Sequence, residues 1–530
     1  MLFGVSPRCL LSMPSDQEIR ICVPLNERSL TALELSSAKA ITNADLIELR
    51  VDGLAPAEID QAGKNIAELI AKIPRPVILT YRSTQEGGYS SVSDQQRREF
   101  WNAHRHTSAA FFDIEYDLAS HFSNLEVESQ PDWSRVICSH HNFSTTPDNI
   151  TALYEQLAFT SARILKLAVT ANDIVDCLAV FSLLARANAE QRELIAIAMG
   201  DAGVITRILG PSRGSFLTYG ASDTDRGTAP GQLLASTLKN IYRIGDITTD
   251  TMITGLVGKP VMHSVSPHLH NAAFAAANLN AVYLPLEVSS LASFFTRMVN
   301  PRTREFDWNL RGLSITAPHK TEVMNYLDWI DPLAVEIGAV NTVVIDGEQL
   351  HGYNTDIDGF IEPLLKRCAS LAGARVAFIG AGGAAKAAIY ALQRQGADVT
   401  LFARNLDKAG GLAERFKISC SPLEAGKFSN FDVVINTTPS GSHGELENDT
   451  VAKSDQLQGS RLAYDLVYNP LETRFMREAR DAGCEVLGGL EMLVVQAQHQ
   501  FKFWTNENAS YELMYDSAFS ELARNSSPRS

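Results

Sequence analysis

With 530 residues, 45% of them hydrophobic and 20% charged, the chain has the make-up of ordinary globular protein and the length of several domains. Its net charge of −15, with no basic block, argues against a nucleic-acid partner, and no apolar run approaches the ~20 residues that span a bilayer, so no membrane is expected. Seven widely spaced cysteines without a C-x-x-C pair argue for free thiols in a reducing compartment and against a zinc knuckle.

Met1 to Ser15 carries a single basic residue, Arg8, and no proper apolar core. Residues 1–16 therefore read as a disordered lead rather than a signal peptide, with the cytoplasm as the expected location; a truncated targeting segment, and with it a plastid, is the alternative. From residue 19 to 219 apolar or alternating runs recur between helical segments: Ile19–Leu25, Leu46–Val51, Val77–Tyr81, Phe111–Tyr116, Arg135–Ser139, Ile164–Val169, Leu194–Met199 and Phe216–Tyr219. Eight strands alternating with helices over 17–243 predict a (β/α)8 barrel, with a doubly wound sheet as the competing fold. A barrel demands that chemically useful residues sit at the C-terminal ends of its strands. Glu48 and Arg50, Arg82 and Glu86, Asp113 and Glu115, His140 and His141, Lys166, Met199 and Arg207 all fall there. Lys166, inside I-L-K-L-A-V, would point into the barrel core or mouth, where desolvation favours the free amine and attack on a carbonyl. Arg50, Arg82 and Arg207 call for an anionic substrate, a carboxylate above all.

The motifs E-L-R-V-D (48–52), T-Y-R-S (80–83), E-G-G (86–88), S-H-H-N-F (139–143), L-K-L-A (165–168), A-M-G (198–200), V-I-T-R (204–207) and T-A-P-G-Q (228–232) resemble type I 3-dehydroquinate dehydratase over essentially this whole half. The resemblance implies that Lys166 forms an imine with the substrate ketone and that His141 shuttles the proton beside it. It implies substrate binding by Glu48, Arg50, Arg82, Arg207 and Gln232, and it leaves Glu86 two roles, orienting His141 or closing a lid. Thr228 replaces the serine common in the family and keeps the hydroxyl. It implies no metal, because the protonated imine is the electron sink.

The polar stretch Asn240 to Thr251 reads as a short joint, with 244–251 as the linker. A new strand opens at Met252. Ser264 and Ser266 then sit in a turn before a helix beginning near Pro267, where hydroxyls either cap the helix or bind a carboxylate at its start. Ser314 to Lys320, Gly338 to Thr342 and Gly352 to Asp356 follow, placing a lysine and an aspartate each after a strand and a turn, an arrangement suited to proton relay. Val376 to Ile379 is a short buried run, followed by G-x-G-x-x-A at Gly380, Gly382 and Ala385 and by helix-forming residues to Leu392. Strand, glycine turn and helix make a dinucleotide site: Gly380 for the tight turn, Gly382 for approach of the pyrophosphate, Ala385 for close packing. After the next strand, Asp398 to Ala403, stands Arg404, where an acid would bind the ribose hydroxyl of NAD; an arginine suits a 2′-phosphate, so NADP is favoured over an ordinary solvated arginine.

These stretches, with E-M-L-V-V-Q-A (491–497), resemble shikimate dehydrogenase across the whole second half. The resemblance implies a catalytic pair Lys320–Asp356 and substrate binding by Ser264, Ser266, Thr316, Asn341, Tyr468 and Gln496. It also implies a nucleotide site of Gly380, Ala381, Gly382, Gly383, Ala384, Arg404, Asn436, Thr437 and Gly489. The expected architecture is α/β throughout: the barrel, then a substrate lobe (252–365), a Rossmann NADP-binding lobe (366–488) and C-terminal helices (489–530) returning to the substrate lobe. The function expected is dehydration of 3-dehydroquinate followed by NADPH-dependent reduction of 3-dehydroshikimate to shikimate, by a monomer or weak homo-oligomer. The alternatives are a quinate/shikimate dehydrogenase using NAD, disfavoured by Arg404 and the Ser264/Ser266 pair, and a degenerate regulator, disfavoured by the presence of Lys166, His141, Lys320 and Asp356.

Overall fold

The structure is a computed structural model and describes residues 19–89, 91–222 and 228–526. The expected lead, residues 1–16, lies outside the described residues. The chain forms two compact units that divide between Thr249 and Asp250.

The first unit contains eight strands: β1 (Ile21–Leu25), β2 (Leu46–Arg50), β3 (Val77–Thr80), β4 (Phe111–Glu115), β5 (Val136–His141), β6 (Ile164–Thr170), β7 (Glu193–Met199) and β8 (Thr218–Tyr219). They lie parallel in the order β7-β6-β5-β4-β3-β2-β1-β8. The ring closes through the residues before β8: Ser215 bridges Leu194, and the Phe216 N–H donates to the Leu194 carbonyl at 2.8 Å. Side chains two apart in a strand share a face. Leu46, Ile78, Ile137, Ile164 and Ile195, with Cys22 and Phe216, pack as one apolar cluster. Two residues further along β2, β3, β5 and β6 stand Glu48, Thr80, Ser139 and Lys166 on that same face. Two further again stand Arg50, Arg82, His141 and Ala168. An apolar floor under a polar mouth is thus written into the period-two pattern.

The joint differs from the sequence expectation. Tyr242, Ile244 and Ile247 are buried, Ile244–Asp246 forms a 3-10 turn, and Arg213 donates to the Thr248 carbonyl. Within the expected linker, Ile244 and Ile247 are thus anchored by burial, while Gly245, Asp246, Thr248 and Thr249 are exposed.

In the second unit β9 (Met252–Gly258), β10 (Ala281–Glu287), β11 (Leu310–Ile315), β12 (Trp329–Ile330), β13 (Thr342–Asp346) and β14 (Gln349–Tyr353) form a mixed sheet, order β10-β9-β11-β13-β14-β12, in which β13 runs antiparallel to both neighbours. Strands β15 (Arg375–Ile379), β16 (Asp398–Ala403), β17 (Ser419–Pro422), β18 (Val433–Asn436), β19 (Leu462–Asp465) and β20 (Glu485–Leu487) form a parallel sheet, order β17-β16-β15-β18-β19-β20. The strand order reverses between β15 and β18, the switch point at which doubly wound sheets bind ligands. The helices Gly489–Thr505 and Tyr511–Ser526 bury Leu493, Val494, Phe501, Met514 and Leu522 against Leu256, Leu269 and Phe274 of the first sheet's lobe.

Candidate active sites

Glu48, Arg50, Arg82, Glu86, His141, Lys166, Arg207, Thr228 and Gln232 all line one narrow cavity of about 50 Å³ at the C-terminal mouth of the barrel. Lys166 is buried there, its ammonium 2.8 Å from Asp113 Oδ2 and 3.0 Å from the Tyr219 hydroxyl. Asp113 also accepts from Ser139 at 2.6 Å and pairs with Arg82 at 2.9 Å. Burial opposes the charge on Asp113, but Arg82 and Lys166 outweigh it and hold the carboxyl well below the usual range. Arg50 is clamped by Asp52 through two hydrogen bonds, of 3.0 and 2.7 Å. Arg207 has no carboxylate partner among the described residues; its Nη2 donates only to the Pro230 carbonyl at 3.2 Å and its buried Nε has no acceptor. Burial, only partly opposed by Tyr219, pushes its guanidinium down to about 10. A buried cation so poorly compensated is a place for an anion.

His141 lines the cavity, whereas His140 does not and is more exposed. Glu86 holds both: its Oε1 lies 3.0 Å from His140 Nδ1 and its Oε2 lies 3.0 Å from His141 Nδ1. Burial disfavours a charged Glu86, yet the hydrogen bonds of His140 and His141 outweigh it and keep its carboxyl at about 2. Burial, reinforced by the charges of Arg82 and Lys166, pushes the His141 imidazole down to about 3. Arg82 Nη1 also lies 3.0 Å from His141 Nδ1; in the neutral tautomer that donates from Nδ1 to Glu86, Nε2 is the nitrogen that accepts a proton. Gln232 Oε1 accepts from the Thr228 N–H at 2.7 Å, so these two form one small loop over the mouth.

In the second unit Ser264, Ser266, Thr316, Lys320, Asn341, Tyr468 and Gln496 line a cavity of about 960 Å³. Lys320 follows β11 and donates to Asp356 Oδ2 at 2.5 Å. Asp356, the first residue of the helix Asp356–Arg367, is buried and receives a second hydrogen bond at Oδ1 from Asn341 Nδ2 at 2.8 Å. The hydroxyls of Ser264 and Ser266 lie 3.1 Å apart at the start of the helix Ser266–Ala276, and burial pushes the Tyr468 phenol upward beside them. Ser314 and Gln500, absent from the sequence expectation, also line this cavity and are joined by a 2.8 Å hydrogen bond.

A third cavity, of about 250 Å³, lies at the ends of β15, β16 and β18 and is lined by Gly380, Ala381, Gly382, Arg404 and Thr437 among others. Gly380 has φ +111°, and a Cβ there would come within 2.7 Å of Thr437 Oγ1. A Cβ at Gly382 or Gly383 would meet nothing closer than 3.8 Å, so the backbone lies open to a ligand. Ala384 caps the helix Ala385–Arg394, whose first N–H groups face the turn. An open glycine turn, a helix start and an exposed Arg404 fit a dinucleotide phosphate. Asn436 and Gly489, both of the expected nucleotide site, lie outside the lining of this cavity. The Asn436 side chain is fully buried and spends its atoms on Asp465, Ser440 and Thr438, so it shapes the turn and does not reach the cavity wall. Gly489 lines neither cavity; a Cβ there would strike the Leu466 carbonyl at 2.3 Å, so it is glycine for close helix packing.

Asp113, Tyr219 and Ser139 carry no role in the sequence expectation, yet all three join the Lys166 network. Strand parity, counted from Phe111, Ile137 and Leu217, is the available signal.

A barrel with a lysine at its mouth, followed by a substrate lobe and a dinucleotide lobe, defines a barrel lyase fused to a nicotinamide-dependent oxidoreductase. Family models agree: type I 3-dehydroquinase matches residues 21–249, the shikimate dehydrogenase substrate binding domain 256–343, shikimate/quinate 5-dehydrogenase 363–468, and the shikimate 5′-dehydrogenase C-terminal domain 489–519. A chloroplastic bifunctional 3-dehydroquinate dehydratase/shikimate dehydrogenase of Arabidopsis thaliana is 34% identical over 520 residues, covering 93% of this chain and 83% of that one. A shikimate dehydrogenase (NADP(+)) of Caldanaerobacter subterraneus is 39% identical over 284 residues, 52% of this chain and 99% of the relative. The solved dehydroquinate dehydratase and shikimate dehydrogenase of S. pombe AroM is 25% identical, covers 95% of this chain and 98% of that one, and has a TM-score of 0.43. The chain belongs to the bifunctional 3-dehydroquinate dehydratase/shikimate dehydrogenase family. No helix among the described residues is long and apolar enough to cross a membrane.

Proposed function

We propose that residues 17–249 dehydrate 3-dehydroquinate to 3-dehydroshikimate through a Schiff base on Lys166, and that residues 250–530 reduce 3-dehydroshikimate to shikimate. The observation that carries this reading is Lys166, a buried amine facing His141 with Arg50, Arg82 and Arg207 around it. The three guanidiniums bind and orient the anionic substrate, with Arg207 the cation most in need of it. The Lys166 amine attacks the ketone, water leaves, and the protonated imine draws electrons from the neighbouring carbon. His141 Nε2 takes the proton from that carbon and returns it to the departing hydroxyl, with Glu86 fixing the tautomer at Nδ1. Glu48, Thr228 and Gln232 bind the substrate hydroxyls.

In the second unit Gly380–Ala384 and Arg404 would hold NADPH, Arg404 at its 2′-phosphate, and the bound cofactor would supply hydride to the ketone. Ser264, Ser266 and Tyr468 bind the substrate carboxylate, and Thr316, Asn341 and Gln496 bind its ring substituents. Lys320 donates a proton to the developing oxyanion, and Asp356 holds Lys320 in place. The same reading puts the enzyme in a reducing compartment, the cytoplasm or a plastid, as a monomer or weak homo-oligomer. The test is NADPH oxidation on adding 3-dehydroquinate. Lys166→Ala should abolish it while leaving oxidation with 3-dehydroshikimate intact, and borohydride should fix substrate mass on the peptide containing Lys166. Mass on any other peptide refutes the Schiff-base assignment.

A further inference from the structure

We propose that Asp52 is a positioning residue of the dehydratase, fixing the Arg50 guanidinium for the substrate and fastening the loop that carries Glu86 to His141. This rests on the dehydratase reading of the barrel. Asp52 lies in the 3-10 turn Val51–Gly53 that follows β2, and it has no exposed surface. Its Oδ1 accepts from Arg50 Nε at 3.0 Å. Its Oδ2 accepts from Arg50 Nη2 at 2.7 Å and from the Tyr89 N–H at 3.1 Å. The Arg82 N–H approaches Oδ1 at 3.4 Å. One buried carboxylate thus gathers a side chain of β2, the backbone after β3 and the loop that leads to the helix Asp94–His104.

Arg50 lines the cavity, whereas Asp52 does not. Asp52 therefore acts on a ligand only through its neighbours. A guanidinium held along its Nε–Nη2 edge by both oxygens of one carboxylate is fixed in plane and direction, and its Nη1 edge stays available to a ligand. A free arginine among the carboxylates of this mouth, Glu48 and Glu86, has no such single direction.

The loop is fastened on two sides of the mouth. Toward β5, Glu86 reaches His140 and His141. Toward β2, the Tyr89 N–H rests on Asp52, and the Gly87 carbonyl accepts from Arg50 Nη2 at 3.3 Å. Arg50 Cζ also lies 5.3 Å from the centre of the Tyr89 ring. Glu86 and Tyr89 are three residues apart, so releasing the β2 side loosens the carboxylate that orients His141. Gly87 sits between them at φ +83°, where a Cβ would come within 2.4 Å of the Phe143 ring, so the loop lies close over that ring.

The test uses the full chain with Asp52→Asn and Asp52→Glu. The amide keeps the shape but offers one acceptor where the carboxylate offers two, so Arg50 and the Tyr89 N–H compete for it. The KM for 3-dehydroquinate should rise about ten-fold or more, the loss expected for charge-assisted hydrogen bonds, and kcat should fall as Glu86 loosens. Without substrate, the Tyr89 amide should exchange with deuterium about five-fold faster or more, while the amides of β2 keep their parental rates. Asp52→Glu keeps the charge that balances Arg50 and displaces the clamp by one methylene; it carries the same expectations and decides the matter where the neutral variant fails to fold. Adding Asp52→Asn to Arg50→Lys should raise KM little further, because the fork that Asp52 grips is already gone. A folded Asp52 variant with parental KM and parental Tyr89 exchange, or full additivity with Arg50→Lys, would overturn the role of Asp52 and leave the dehydratase reading standing. No dehydration of 3-dehydroquinate by the parent chain would instead overturn that reading, and this proposal with it.

Discussion

Asp113→Asn preserves shape and removes one charge from the middle of the barrel mouth. The Asp113 side chain is fully buried and touches Lys166 at 2.8 Å, Arg82 at 2.9 Å and Ser139 at 2.6 Å. Removing the carboxylate leaves two buried cations facing each other, and breaking a buried pair in this way costs ~3–5 kcal/mol. In a unit of this size each kcal/mol is worth about 2–4 °C, so the unfolding midpoint of the barrel should fall by roughly 6–20 °C. Lys166 also loses the contact that fixes its position, and a misplacement of about 1 Å costs ~100-fold in rate, the drop expected in dehydratase kcat. The sign of the pH dependence is fixed by the depressed carboxyl of Asp113. Its contribution to stability is complete above the unfolded value of about 3.9 and is lost as pH falls toward the folded value, so the gap between parent and variant should be full at pH 7 and narrow below about pH 4. The assays are thermal unfolding followed from pH 3 to 8 and both activities of the intact chain. Dehydrogenase activity should not change, because its cavities are formed entirely by the second unit. An unchanged barrel midpoint, or a gap that widens on acidification, would refute the electrostatic reasoning.

Arg404→Ala should raise the KM for NADPH about ten-fold or more, from the loss of one charge-assisted contact worth ~1.5–3 kcal/mol, and barely alter NADH; equal effects on both would show that Arg404 does not meet the 2′-phosphate. Lys320→Ala and Asp356→Ala should each depress kcat for reduction with little change in cofactor binding, and the double variant should fall far short of the sum, since the two groups share a 2.5 Å hydrogen bond; strict additivity would separate them. The His141 imidazole, pushed down to about 3, should remain neutral from pH 7 to about pH 4 when followed by NMR, and a midpoint near 6.5 would contradict the burial that sets it. Fragments divided between Thr249 and Asp250 should each fold and keep most of their own kcat/KM, whereas a cut at Asp246 should damage the first by stripping Ile247 from it; equal damage from both cuts would refute the boundary.

The sequence by itself determined the order of strands and helices, the residues at the barrel mouth and the glycine turn after β15. Those features are local: period-two alternation selects the face, a positive φ selects glycine at 380, and the β/α alternation leaves few topologies. The motif S-H-H-N-F (139–143), by its resemblance to the family's, pointed to His141 rather than His140, and it is His141 that lines the cavity. Which side chains touch was decided by the closing of the ring. Asp113 and Lys166 are 53 residues apart, as are Lys166 and Tyr219, and only the curvature of the barrel brings β4, β6 and β8 to one point. The partner of Asn436 was likewise not legible, since Asp465 stands 29 residues on and meets it only across β18 and β19. The ends of the joint were also a tertiary matter: Tyr242, Ile244 and Ile247 are too few to form a periodic pattern, and their burial depends on surfaces distant in the chain. Local backbone preference and side-chain alternation are properties of neighbouring residues and can be read in order. Charge pairing, desolvation and pKa depend on distances across the fold, and these exist only after it has formed.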